Sequence, residues 1–337
     1  MRRLLSPWGL LGTGLGLALV TGAVLWFTPS GDYILLPDRA HPLEPLVTVP
    51  GEPPPRDGGG GIYFVDALVR KATLLESMFP SIRDGASLVS ARRFNPPGFG
   101  RRQLELENAR EMRTSQQLAA AVALRALGYR VTIRRRGALI EAVDPSKPAA
   151  GKLLPTDVVV AVDGRPVQTP ADLQREIRRH RPGERVRLSV RSGQGLREVT
   201  VGTVPDPRDR SRPIIGVLLG QAVAVQVPLR VHFDLGDVGG PSAGLAFALD
   251  LMEELGRDVD HGYRVAATGE IGVDGSVHAV GGIKQKALGA ARSGIDVFLV
   301  PGDNATEARR FGRGMRVIPV DSFRQALHRL ATLPPKD

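Results

Sequence analysis

The stretch Gly236–Gly256, GDVGGPSAGLAFALDLMEELG, sets a serine among glycines and a proline at the head of an apolar-periodic run. Gly240, Ser242 and Gly244 satisfy the G-x-S-x-G pattern shared by many serine hydrolases. Leu245, Leu249 and Met252 recur at i, i+4 and i+7, and Gly256 follows the last turn, so the spacing predicts a helix from about 241 to 255. Pro241 takes the first helical position, where its missing N–H costs nothing. Ser242 then falls on the first turn, whose free amides and dipole favour developing negative charge. Gly239 and Gly240 leave room for a substrate backbone. The plain alternative is a serine that merely begins a helix, and the pattern alone does not exclude it.

A nucleophilic serine needs a base. His261, His278 and His328 lie downstream, but fewer than a hundred residues follow Ser242, too few for the rest of an α/β-hydrolase. The GDVGG segment is also a loop rather than a tight elbow. No H-E-x-x-H occurs, so a zinc peptidase has no support; the expected site uses no metal and no cofactor.

Lysine is the better base. Of the 45 cationic side chains only six are lysines, at positions 71, 147, 152, 284, 286 and 336. Where arginine is the default cation, a retained lysine suggests a task guanidinium cannot perform, namely losing a proton. VGGIKQKALGAARSG places Lys284 and Lys286 at the start of a helix after a Gly-Gly turn. Burial there would depress an ammonium pKa, and the positive helix end acts the same way. A helical wheel does not separate the two lysines and, if anything, brings Lys284 nearer the apolar face.

The 337 residues suffice for two globular domains, and the absence of cysteine removes disulfide frameworks and thiolate chemistry. The net charge of +10 comes from arginine with few aromatics, which does not describe a nucleic-acid surface. Residues 7–29 carry no charge and follow Arg2 and Arg3, with Asp32 the first acid beyond them. They are long enough to cross a bilayer with the N-terminus in the cytoplasm and the remainder outside it. A cleaved signal peptide is the alternative, but the segment ends in Leu25, Trp26 and Phe27 rather than an A-x-A-like site. Pro/Gly-rich residues follow, then a strand at IYFVDALV and a helix over 108–129.

From about 131 to 204 short strands surround one helix. The Gly137-Ala138-Leu139 loop, Pro148-Ala149, the Leu154–Asp157 turn and Asp163-Gly164 resemble a PDZ domain of the bacterial protease-associated type. The resemblance implies a groove that takes an extended peptide as an added strand. The expected contacts are Gly137, Ala138 and Leu139 at the carboxylate, with Leu173 and Ile177 facing the groove. A domain that only spaces its neighbours is the alternative.

The run from about 212 to the end resembles the proteolytic domain of the Lon protease family. GGPSAG matches the nucleophile motif, ATGEI the next strand, VGGIKQKALGAARSGI the lysine motif and DVFLVP the strand after it. Through the family's G-G-φ-x-x-K pattern the resemblance implies Ser242 and Lys286 as the catalytic pair. It implies Thr268, Gly240 and Ala243 as supporting residues, with Thr268 orienting the lysine. The sequence departs from the K-D-G-P-S-A-G of ATP-dependent members and holds no phosphate-binding G-x-x-x-x-G-K-[ST] loop. An anchor, a PDZ domain and a Lon-type domain together resemble the YlbL-like bacterial membrane proteases, in which the PDZ domain interrupts the proteolytic fold.

The expected fold is α+β, mixed sheets with helices, preceded by one transmembrane helix. The expected division is 1–30 anchor, 31–128 linker and first part of the proteolytic fold, 129–205 PDZ domain and 206–337 proteolytic domain. The expected activity is an ATP-independent serine endopeptidase outside the cytoplasm, acting on protein or peptide substrates. A homo-oligomer is compatible with the sequence. A non-catalytic PDZ adaptor, and an esterase of another fold relying on His328, are the competing readings.

Overall fold

The computed structural model describes residues 7–44, 46–51, 59–91, 101–193, 195–234, 241–334 and 336, without the side chains of 7–12, 101–107 and 110. The chain divides into two compact units, residues 1–129 with 229–337, and residues 130–228.

The larger unit is built on a five-stranded sheet in the order His41–Pro42, Gly61–Phe64, Arg264–Ala267, Val297–Pro301, Arg316–Val320. The last four strands run parallel, and His41–Pro42 closes the edge antiparallel. All five residues of Val297–Pro301 are buried, as expected of a parallel strand covered on both faces, and this explains the unbroken apolar run VFLVP. Helix Ile283–Arg292 packs its Ile283, Ala287 and Ala290 into a core with Ala266, Phe298 and Val300. Its Gly289 is required by close approach, since a Cβ there would lie 1.7 Å from the Asp38 carbonyl oxygen.

Helix Gly244–Glu254 is buried along nearly its whole length, and helix Arg101–Ala126 packs against it. The latter contributes a continuous buried run from Ala119 to Leu124. On the serine helix burial reaches beyond the Leu245–Leu249–Met252 stripe to Ala246, Phe247, Ala248 and Leu251, and takes Asp250 and Glu254 with it. A second sheet places Pro29–Pro37 between Ala67–Thr73 and Ser87–Val89. Residues 7–27, where the anchor is expected, form the helix Pro7–Phe27. Part of that segment lies outside the described side chains, and among the described residues no helix is long and apolar enough to cross a membrane.

The smaller unit is an antiparallel sheet in the order Gly195–Gly202, Arg185–Ser192, Val158–Val162, Thr132–Val143, Val217–Gln226. Helix Pro170–Ile177 starts from a capping box formed by Thr169 and Asp172. Its Leu173 and Ile177 join Ile140, Val159, Leu188 and Val201 in one core.

Strand Val217–Gln226, within the residues 206–337 that the sequence groups with the proteolytic part, bonds along the length of Thr132–Val143 and so belongs by its contacts to the smaller unit. One expectation is corrected here. The Gly137–Leu139 segment is not a carboxylate loop at a free edge. Ala138 pairs with Gln221 on one side and Val159 on the other, and Leu139 with Gly220 and Val158. A strand hydrogen-bonded on both sides has no backbone left to offer a peptide. The outer strand beside this position is Val217–Gln226.

Candidate active site

The site lies at the C-terminal end of the parallel strand Arg264–Ala267, the usual position for chemistry on an open parallel sheet. Thr268 is the next residue, and its amide still bonds to Leu299 of the neighbouring strand. Gly269, at φ +154, then turns the chain, and a Cβ there would meet Val277 at 2.6 Å. This turn stitches to the serine segment. The Gly269 amide donates to the Ser242 carbonyl at 2.8 Å, and the Leu245 amide donates to the Gly269 carbonyl at 3.1 Å.

The serine sits in a short 3-10 turn, Pro241–Ala243, that leads into helix Gly244–Glu254. The expected helix start is thus a tighter turn, with Ala243 at the N-cap position and buried. From the other side the Ser115 hydroxyl donates to the Pro241 carbonyl at 3.1 Å. Gly244 leaves room for that hydroxyl, since a Cβ would lie 2.9 Å from it. Gly240, expected to support the site, lies outside the described residues.

The lysine arrives on helix Ile283–Arg292, which begins at Gly282 in the left-handed region with φ 70. Lys286 is 3% exposed, and its Nζ lies 2.7 Å from Ser242 Oγ and 3.3 Å from Thr268 Oγ1. Thr268 is fully buried, and its hydroxyl donates to the Ser242 carbonyl at 3.1 Å. A hydroxyl committed in that direction presents its lone pair to Lys286. Lys286 Nζ donates to both hydroxyl oxygens, and loss of one of its protons frees a lone pair at the distance needed to accept from the serine O–H. Burial pushes the Lys286 ammonium down to about 8, while the Asp66 carboxylate pulls in the opposite direction.

Lys284 stands apart. It is half-exposed, and its Nζ donates to the Ala86 carbonyl at 2.9 Å. The apolar-face argument that favoured Lys284 is therefore reversed: helix Ile283–Arg292 is covered on the Lys286 side by Thr268 and the serine turn, which no wheel represents. None of the downstream histidines takes the base position. His278 bonds to Ser276 at 2.9 Å, His261 approaches Asp258 at 3.7 Å, and His328 is exposed on the last helix.

Three neighbours were not singled out from the sequence. Asp66 follows strand Gly61–Phe64, whose Phe64 pairs with Ala267, so it comes level with the turn after Thr268. Its carboxyl is raised by burial and drawn back by Lys286. Ser115 is set one helical turn beyond Glu111, whose carboxyl is raised by burial and by Glu270. Asn304 brackets Val280, accepting from its amide at 2.9 Å and donating to its carbonyl at 3.2 Å, which fixes the approach to Gly282. Each contact crosses more than twenty positions of chain, and no local pattern marks them.

In the smaller unit Leu173, Ile177 and Ala138 are buried in the core, Leu139 is paired on both sides of its strand, and Gly137 pairs with Ala222. Gly216, at φ +85, precedes the outer strand, and the Gln221 side chain donates to the Gln168 carbonyl just before helix Pro170–Ile177.

Residues 220–331 match the Lon protease (S16) C-terminal proteolytic domain, and residues 125–203 match the PDZ domain family. Lon protease 1 of Sorangium cellulosum is 36% identical over 133 residues, covering 36% of this chain and 16% of its own length. The Lon protease of Chloroflexus aurantiacus is 39% identical over 114 residues, 32% of this chain and 13% of its own length. Among solved structures, the PDZ domain of an SdrC-like protein from Listeria innocua is 24% identical, with a TM-score of 0.23, covering 25% of this chain and 92% of that one. The chain thus spans only a small part of the curated Lon proteases it matches. It carries a Lon-type serine peptidase domain and a PDZ domain.

Proposed function

We propose that this chain, built on a Lon-type proteolytic domain, is an ATP-independent serine endopeptidase in which Ser242 is the nucleophile and Lys286 the base. The observation that carries this reading is the 2.7 Å approach of a buried lysine to the serine hydroxyl, with the lysine pKa down at about 8. Neutral Lys286 takes the proton from Ser242 Oγ as the oxygen attacks the peptide carbonyl. The ammonium then protonates the leaving amine, and an acyl-enzyme remains on Ser242. In the second half Lys286 takes a proton from water, which cleaves the ester and restores the serine. Thr268 holds the amine at the required angle. Amides on the Ser242–Ala243 turn face the developing oxyanion, where their fixed dipoles are effective.

The charge-free helix Pro7–Phe27 supports a single-pass anchor, with the catalytic unit outside the cytoplasm. The sequence contains no phosphate-binding loop, so substrates that need no unfolding suit it: unfolded segments, exposed tails and membrane proteins cut near the surface. The PDZ domain docks such peptides.

The test uses the full chain with a serine-directed fluorophosphonate probe and an unfolded protein substrate, without nucleotide. Wild type and Lys284→Ala are expected to label and to cleave, and Ser242→Ala and Lys286→Ala to do neither. Full activity in Lys286→Ala ends the assignment.

A further inference from the structure

Beside the end of helix Pro7–Phe27 the proteolytic unit carries an apolar tip with no role in the site. Helix Leu74–Met78 and the 3-10 turn Pro80–Ile82 present Met78, Phe79 and Ile82 to solvent at 59%, 53% and 46% exposure. Three large apolar side chains within five residues are a concentrated exposed patch for a soluble surface.

The tip is rigidly built. Thr73 and Glu76 form a capping box, and the buried Glu76 carboxylate accepts from Arg70 at 2.8 and 2.5 Å and from Arg83 at 2.9 Å. The apolar side chains are therefore held outward by a braced turn.

Its position is fixed relative to the helix end. The Leu74 amide donates to the Thr28 carbonyl at 2.9 Å, and Pro29 pairs with Thr73. The Arg83 guanidinium lies over the Trp26 ring at 5.1 Å from its centroid. Trp26 and Phe27 are themselves exposed, so aromatic and aliphatic side chains from two separate segments share one end of the helix. Arg70 and Arg83 share the single carboxylate of Glu76, so together with Lys71 they leave a net positive charge beside the tip. Aromatic rings, apolar wedges and basic side chains at one level are the chemistry of a membrane interface.

We infer that the Met78–Ile82 tip inserts into the headgroup and upper acyl region of the bilayer crossed by helix Pro7–Phe27, holding the catalytic unit against the lipid surface. The inference rests on the anchoring reading, because a spanning helix delivers its C-terminal end, and whatever is packed on it, to headgroup depth. A second anchoring point would stop the unit from pivoting about the chain at Thr28 and would favour substrates close to the membrane.

The chain has no cysteine, so a single one can be labelled in the full-length protein. Leu19→Cys, Phe79→Cys, Ile82→Cys and Asp258→Cys, each carrying an environment-sensitive fluorophore, are reconstituted into phosphatidylcholine–phosphatidylglycerol vesicles. The quencher is a lipid brominated high on its acyl chains. Loss of most of the emission at 79 and 82, and at 19, with none at 258, is the expected result. Quenching at 19 without quenching at 79 and 82 overturns the inference and leaves the anchor standing. No quenching at 19 removes both, and equal quenching at 258 shows indiscriminate adsorption and overturns the tip.

Discussion

Lys286 Nζ lies 2.7 Å from Ser242 Oγ across 44 positions of sequence, and the amine is buried while the hydroxyl is within reach of solvent. A base must be deprotonated to act, so activity should follow the neutral fraction of Lys286. With its pKa lowered to about 8, kcat/KM is expected to climb about tenfold per pH unit on the acid side and level off above about 8. A pH series with a chromogenic peptide checks this. A plateau already complete below neutrality would point to a different base.

The same depressed pKa predicts a stability signature. The folded state binds fewer protons than the unfolded chain between about 8 and 10.5, so stability rises with pH across that window, and the full cost is present below it. Lys286→Met removes the buried ammonium at nearly constant volume. At pH 7 it should stabilise the fold by up to about 3 kcal/mol, less the lost hydrogen bonds. Denaturant melts at pH 7 and 10 test this: the gap between variant and wild type should shrink at the higher pH.

Thr268→Val deletes the hydroxyl that links Lys286 to the Ser242 carbonyl while keeping the side-chain volume. The serine carbonyl keeps its bond from the Gly269 amide, so the fold should persist. Loss of one orienting hydrogen bond costs about 1–2 kcal/mol, or roughly 5- to 30-fold in kcat, with KM little changed. Thr268→Ser should recover most of it. Steady-state kinetics on the three proteins settles whether the hydroxyl or merely the volume matters.

In the smaller unit a peptide can add only where backbone groups are unpaired. A titration with a peptide ending in an apolar residue should shift the amide resonances of 216–226 and spare those of 137–139, the reverse of the sequence expectation. The measurement is a two-dimensional nitrogen–proton spectrum of the full chain. Shifts confined to 137–139 would mean that Val217–Gln226 peels away on binding.

Much of the site was legible because the chemistry imposes local patterns. A first-turn serine after glycines, a Gly-Gly turn before a lysine, and the scarcity of lysine are all short-range features. The parallel strand VFLVP and the serine helix announce themselves by apolar runs. The roles of Asp66, Ser115 and Asn304 were not legible, since each acts through a contact with a distant element and looks ordinary among its own neighbours. The edge strand of the smaller unit failed for the same reason. Gly137–Leu139 has a loop-like composition, and only the pairing of Ala138 and Leu139 on both sides shows that it is interior.

By itself, then, the sequence determined the order of motifs, the serine as nucleophile candidate and a lysine in place of histidine. The family resemblance already pointed to Lys286; what only the tertiary structure decided is the environment that sets it apart from Lys284. Lys284 and Lys286 share a helix and the Gly-Gly turn before it, and their intrinsic chemistry is identical. What separates them is what packs against the helix: a backbone carbonyl at the rim for Lys284, and Thr268, the serine turn and exclusion of water for Lys286. Desolvation sets the proton affinity of an amine, and desolvation is a property of neighbours brought from far along the chain.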